Sequence, residues 1–395
     1  MTVPHHAVQG AYLRERPSLR RGAALVAILI VLVLLSFLSL SVARISRGDF
    51  RRARDARLSV AAREGADLAA LVVQRDWALG AGETTSVGGL LPTVTWSSTL
   101  ARAAALTMRT SSTTFWTVAD GWAGDSLGES LARTSVNIAW RLAVPDVDPL
   151  AALTVRDSVT LAGGALVSGT DTTLSAWGAT CPAAAPSPAI ALPDTTRLCD
   201  GACGAGSVGG RALGSPALFA DPSAAATTRY HAFGAEDWST LTAHAAVVLP
   251  AGSVVTPAPA MAGASCNRIL PTNWGDPTTS AGSCSSWTPI IWAQGDVEIL
   301  GGVGQGILLA DGDVTLSGGA LFAGVIVARD DVVSAGTGGT VLGAVLAGDA
   351  RPGAGDHTTL AGASRVQRSS CAVERALLRS ARLQRVRDRA WARLR

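Results

Sequence analysis

Residues 20–44, RRGAALVAILIVLVLLSFLSLSVAR, decide how the rest of the chain is read. From Ala23 to Ala43 there are 21 residues without a charge. As an α-helix they rise about 31 Å, matching the ~30 Å hydrocarbon core of a bilayer. A secretory signal that is removed has a shorter apolar core, about 7 to 15 residues, even though Ser41 to Ala43 offer small residues for such a cut. The Arg20 and Arg21 pair lacks the continuation of a twin-arginine signal. Basic residues do not orient the span, because Arg14, Arg16, Arg20 and Arg21 before it face Arg44, Arg47, Arg51, Arg52, Arg54 and Arg57 after it.

The pattern continues past the membrane edge as RISRGDFRRARDARLSVAAREGADLAALVVQRDW. Phe50, Ala53, Leu58, Ala61, Gly65, Leu68 and Val72 recur at steps of three to five, one face of an amphipathic helix. A basic leader ending in RRG, an uncharged helix beginning AALVAILIVL and this Ala- and Gly-rich continuation resemble the amino-terminal region of type IV prepilins, most closely the PilX-type minor pilins. The resemblance implies that prepilin peptidase cuts after Gly22 and leaves Ala23 as the mature amino terminus. The apolar helix would be kept, first as a single-pass inner-membrane anchor with a periplasmic or extracellular body, later packed against other pilin or pseudopilin subunits in a surface filament. Major pilins carry Glu at the fifth mature position, which is Ala27 here. A lone charge in that apolar layer would cost several kcal/mol without a partner, and its absence suits a minor, priming or tip subunit.

In composition the chain suits β-structure joined by tight turns: of 395 residues 16% are charged, 43 are Gly and 18 are Pro. Every basic residue is Arg, which marks a GC-rich genome before any function. The net charge of +3 is uneven. Residues 1–75 sum to +7 and residues 365–395 to +8, so the body between them is acidic. Basic ends beside a membrane meet lipid phosphates; elsewhere they meet acidic protein or nucleic acid. The six cysteines, Cys181, Cys199, Cys203, Cys266, Cys284 and Cys371, all follow the apolar segment, as export to an oxidising compartment requires.

The expected fold is α+β: a leader (1–22), a long transmembrane and amphipathic helix (23–75, spanning at 23–43), an antiparallel β meander (76–150), a parallel β-solenoid (151–364) with a loop-rich insertion at 181–292, and an Arg-rich carboxy-terminal tail (365–395). The meander is read from LTMRTSSTTFWTVADGW and RTSVNIAWRLAV. Its Trp116, Trp122 and Trp140 are expected in the core or on a sheet face, with a carbohydrate platform as the alternative. The solenoid is read from a repeat. DSVTLAGGALVSG (157–169) and GDVTLSGGALFAG (312–324) agree at eight of thirteen positions, 155 residues apart. GDVEILGG and DDVVSAGTGG flank the second copy at about one coil's spacing. Val314 with Leu316, and Val325 with Val327, are expected to point inward. Disulfides would hold the insertion's loops: Cys266 with Cys284, closing a loop worth about 3 kcal/mol, and Cys181 with Cys199 or Cys203, leaving Cys371 unassigned.

Residue patterns for chemistry are sparse. Zinc at Cys199 and Cys203 lacks a second ligand pair. Asp296, Asp313 and Asp331 recur beside turn glycines, as in polysaccharide-cleaving β-helices, but Asp at a corner also bonds turn backbone. GGVGQG (301–306) lacks both the Asp of calcium-binding nonapeptide repeats and the Lys-Ser or Lys-Thr of a phosphate loop. His231, His244 and Asp237 form no nucleophile elbow. No cofactor, metal or catalytic residue is expected; the tail reads as docked on the body or solvated rather than as capturing DNA. The leading function is a structural filament subunit. A membrane-anchored binding or adhesion module and a polysaccharidase are the alternatives.

Overall fold

The computed structural model describes residues 20–75, 77, 85–124, 130–181, 184–200, 202–203, 210–280, 282–334, 336–350, 357–386 and 391–392, and within them the side chains of residues 20–23, 130–131, 179–180, 200, 202–203 and 391–392 are not described. The leader before Arg20 lies outside the described residues.

The first layer is one helix on one sheet. Helix α1 (Arg20–Arg75) is continuous from the apolar segment into the amphipathic one. Strands β1 (Val94–Ser97), β2 (Ala101–Arg109), β3 (Thr114–Gly124) and β4 (Ser130–Ala143) follow as an antiparallel meander. In β3 burial alternates strictly, the period-two signature of a sheet with one covered face. The covered face presents Phe115, Thr117, Ala119, Gly121 and Ala123 to the helix side. Trp140 is fully buried, and its Nε1 donates to Thr117 Oγ1 at 2.8 Å. Trp116 and Trp122 are half-buried, the latter under the Arg133 guanidinium.

The helix face that meets this sheet differs from the face expected by counting large apolar residues. Leu58 and Gly65 are buried, but Phe50 is 75% exposed and Leu68 is exposed too. The contact is made by Ala66, Ala69, Ala70 and Val73 with Ala103, Ala105 and Ala119, and by Ala62 with Ala101 and Ala123. The reason is distance. A Cβ at Gly121 would overlap the carbonyl oxygen of Ala62, so helix and strand backbones touch there and only small side chains fit around the contact.

The second layer is a stack of parallel coils built from two sheets. One sheet aligns Val297 with Val314 and Val314 with Val332, offsets of 17 and 18 residues. The other aligns Ile307 with Val325 and Val325 with Ala344. The 155-residue repeat is structural: Val159–Leu161 and Val314–Ser317 lie in the first sheet, Leu166–Ser168 and Ala320–Ala328 in the second. Stacking order departs from chain order. Residues 153–155 and 159–161 do not begin the stack; they receive its late coil, pairing with 345–347 and 358–360. The expected insertion at 181–292 also contains stacked strands, Ile190–Leu192 next to the early coil and Val247–Leu249 at the opposite end against Ile290–Ala293.

Val314 and Leu316 point into the coil core, but Val325 and Val327 do not. Ile326 and Ala328 fill the core, and Val325 and Val327 pack outward with Val373 and Ala376 of a helix at Ser370–Ser380. That strand is buried on both faces, where alternation no longer tells inside from outside.

The Arg-rich carboxy-terminal region is an integral part of the fold. Arg365–Arg368 adds a strand to the solenoid, Ser370–Ser380 caps its flank, and Arg382–Arg385 returns to pair antiparallel with β4. Ser369 caps the helix through its side chain, accepting from Ala372 N. The returning strand covers what would be an open sheet edge. It also ties sheet to solenoid, since Arg382 reaches both carboxylate oxygens of buried Glu236 at 3.1 Å and Gln384 donates to the same group. Arg382→Ala should cost about 2 to 3 kcal/mol in thermal unfolding, less than a fully buried pair, because Gln384 still donates to Glu236. Faster hydrogen exchange confined to the Arg382–Arg385 amides would accompany it.

Candidate functional site

From Leu25 to Ile45 the large apolar side chains of α1 are all about half exposed or more, between 49% for Val33 and 65% for Leu25 and Ile45. The span has a mean hydropathy of 3.0 and none of it is covered by the rest of the chain. Burial of each such side chain is worth about 1.5 to 3 kcal/mol, so the surface calls for cover by lipid or protein. Two of its three serine hydroxyls are prepared for an apolar surrounding: Ser36 Oγ donates to Leu32 O and Ser41 Oγ to Phe37 O, both at 2.8 Å. Beyond the span the apolar stripe persists on the side away from the sheet, through Phe50, Val60, Leu68 and Leu71. Exposed arginines from Arg44 to Arg57 flank it, Arg52 loosely paired with Asp49 at 3.8 Å. Ala27 is exposed near the amino-terminal end of the uncharged surface. Gly22 and Ala23 fall in the first turn of the helix, and their side chains lie outside the description.

The recurrent aspartates form one column at the coil corners. Asp296 Oδ1 accepts from Asp313 N, and Asp313 Oδ1 from Asp331 N, both at 3.0 Å; Asp331 Oδ1 accepts from Thr358 Oγ1 at 3.1 Å. Asp296 and Asp313 therefore tie the backbone of the next coil, and Asp331 ties a side chain of the next. Burial, together with the charges of Asp349, Asp330 and Asp313, pushes the Asp331 carboxyl up to about 7. GGVGQG divides into a left-handed corner at Gly301 and Gly302 and the start of a strand. Asp237 is the cap of the short helix Trp238–Ala243, accepting from Thr240 N at 2.7 Å. His231 lies edge-on to Trp238, and burial followed by the charges of Arg329 and Arg156 lowers its pKa.

Cys266 and Cys284 are joined, and Cys181 is joined to Cys371 rather than to Cys199 or Cys203. The 190 residues between Cys181 and Cys371 vanish in space because Asp171, ten residues before Cys181, holds the start of the carboxy-terminal helix. Cys199 is itself disulfide-bonded, which leaves it no thiolate for zinc. The backbone sets Cys203 opposite Cys199, and the Cys203 side chain lies outside the description.

Asp171 is a contact that sequence reading missed. Burial pushes its carboxyl up, but bonds from Ser370 N and Ala184 N, each 2.7 Å, and from Ser370 Oγ outweigh burial and hold it below the usual range. A depressed carboxylate stabilises fully above its unfolded value of about 4 and ceases to do so as pH falls through the lower folded value. Thermal stability should therefore drop below about pH 4, and Asp171→Asn should flatten that part of the pH profile while costing about 1 to 2 kcal/mol at neutral pH.

Two further polar hubs carried no sequence signal. Gln305 Nε2 donates to the carbonyls of Ser285 and Trp287 and anchors the Cys266–Cys284 loop. Asp311 accepts from the indoles of Trp238 and Trp292.

No protein-family model matches the chain, and no curated protein does. Among solved structures, the crystal structure of the competence-associated pilin ComZ from Thermus thermophilus aligns with 85% of this chain and 97% of that chain, at 12% identity and a TM-score of 0.23. At that score the likeness carries no weight for fold or function.

Proposed function

We propose that this chain is a structural, non-catalytic subunit of a type IV pilus or related filament, of the PilX-like minor pilin or pseudopilin kind. One observation carries the reading: α1 is locked to its sheet between Leu58 and Val73, largely by alanines, while its apolar stretch from Leu25 to Ala43 has no cover from the body. In the proposed sequence of events lipid covers that helix first, prepilin peptidase cuts after Gly22, and the same surface then packs against neighbouring subunits. Ala27 in place of an acid supports a minor or tip position, where the charge pairing of a repeating subunit is not needed. The solenoid is the displayed cargo, on the outer side of the inner membrane.

Shearing tests the proposal. The chain should appear in the sheared filament fraction, and its amount there should fall to background when prepilin peptidase is absent.

A second reading, an anchored adhesion module, is favoured by the disulfide-held loop, where Ile269 is 92% exposed and Arg268 covers Trp287. Persistence of the chain in membranes with none in sheared filaments would favour that reading. A polysaccharidase would lose turnover on Asp313→Ala or Asp331→Ala.

A further inference from the structure

The aspartate column ends in a group of acids that hydrogen bonding within the column leaves incomplete. One carboxylate oxygen from each of Asp313, Asp330 and Asp331 lies within 4.8 Å of the others. Asp330 and Asp331 are each 1% exposed, and Asp349, whose N–H donates to Asp330 O, is also buried. Asp331 Oδ1 accepts from Thr358, and its other oxygen, Oδ2, is buried with no hydrogen-bond partner among the described residues. A buried carboxylate oxygen needs a donor, a proton or a cation. Among the described residues, the charges of Asp349, Asp330 and Asp313 that act on Asp331 share its sign.

We propose that Asp313, Asp330 and Asp331 bind one calcium ion that clamps adjacent coils of the solenoid. The donors are all hard oxygens, which select calcium or magnesium over transition metals. Between the two, calcium accepts a flexible all-protein set of carboxylates, whereas magnesium demands near-ideal octahedral geometry and keeps several waters. The ion would join Asp313 of one coil to Asp330 and Asp331 of the next. Past this point the even spacing stops, since Val333 pairs with Thr359, 26 residues on. The clamp thus sits where the regular ladder ends. The inference does not depend on filament assembly.

The test uses the full chain in detergent micelles, stripped with EGTA and titrated with calcium chloride by calorimetry, with native mass spectrometry for stoichiometry and thermal unfolding for effect. One calcium per chain is expected, with the midpoint rising roughly 2 to 4 °C at about 1 mM calcium. Asp331→Asn, and separately Asp313→Asn at a half-exposed position, should remove both effects. Folded wild-type protein that binds no calcium would overturn the proposal, as would equal binding by both variants. Asp331→Asn raising the midpoint equally in calcium and EGTA, with no calcium effect on the wild type, would overturn it in favour of a proton shared among the acids.

Discussion

Gly343→Val should unfold the solenoid while leaving α1 and its sheet able to form. Gly306, Gly324 and Gly343 stand in register on three successive coils, all with positive φ, at +124°, +142° and +142°. A Cβ on Gly343 would overlap the carbonyl oxygen of Gly324, and one on Gly324 would overlap that of Gly306. Neither obstacle is a flexible side-chain tip; both are backbone fixed by pairing on either side. Valine adds a β-branch at a dihedral that L-residues rarely adopt, so strain and overlap act together. The expected loss is about 4 kcal/mol or more, at the extreme of single substitutions. Limited proteolysis should cut within the coils of the variant, while Gly319→Val, where a Cβ meets open space, serves as the control for φ strain alone.

Ile30→Arg should abolish assembly through a different link in the chain of causes. Ile30 is 54% exposed and touches nothing that the body folds around, so the body's thermal midpoint should not move. A charge at the centre of the span adds about 2.5 to 3.5 kcal/mol to insertion. In a filament core it would be buried without a partner, a larger cost still. The variant should be folded by circular dichroism yet lost from sheared filaments. Normal filaments carrying Ile30→Arg would show that this helix face is not the assembly surface.

How much of this was legible in the sequence follows from what each feature leaves behind in one dimension. The span was legible because 21 uncharged residues have few other uses. The coil register was legible because Asp-Val pairs and glycines recur at nearly constant spacing, at Asp296-Val297, Asp313-Val314 and Asp331-Val332. The sheet-facing side of α1 was misread because size was taken as the guide, whereas Gly121 makes smallness the criterion there. Val325 and Val327 were misplaced because a strand covered on both faces has no polar side to mark the outside. The Cys181–Cys371 bond was hidden by the stacking order, which brings Asp171 beside Ser370 across most of the body. The returning strand, RLQR, holds one buried apolar residue, Leu383, between half-buried Arg382 and Gln384, too short an alternation to mark a strand. Its arginines drew attention to charge instead. Of the candidate site, the apolar helix was plain and the aspartate column was seen as turn chemistry. Asp330 adjoins the column as the sequence neighbour of Asp331, but Asp349 joins it only through the meeting of coils, which no local pattern records.

The central claim is that the bare apolar helix stays attached to the body after the basic leader is removed. Intact mass and amino-terminal sequencing of the chain recovered from sheared filaments measure it directly. A mature terminus at Ala23, with residues 23–43 retained, is the result this account predicts. A product that begins at Arg44, soluble and without the helix, would contradict it.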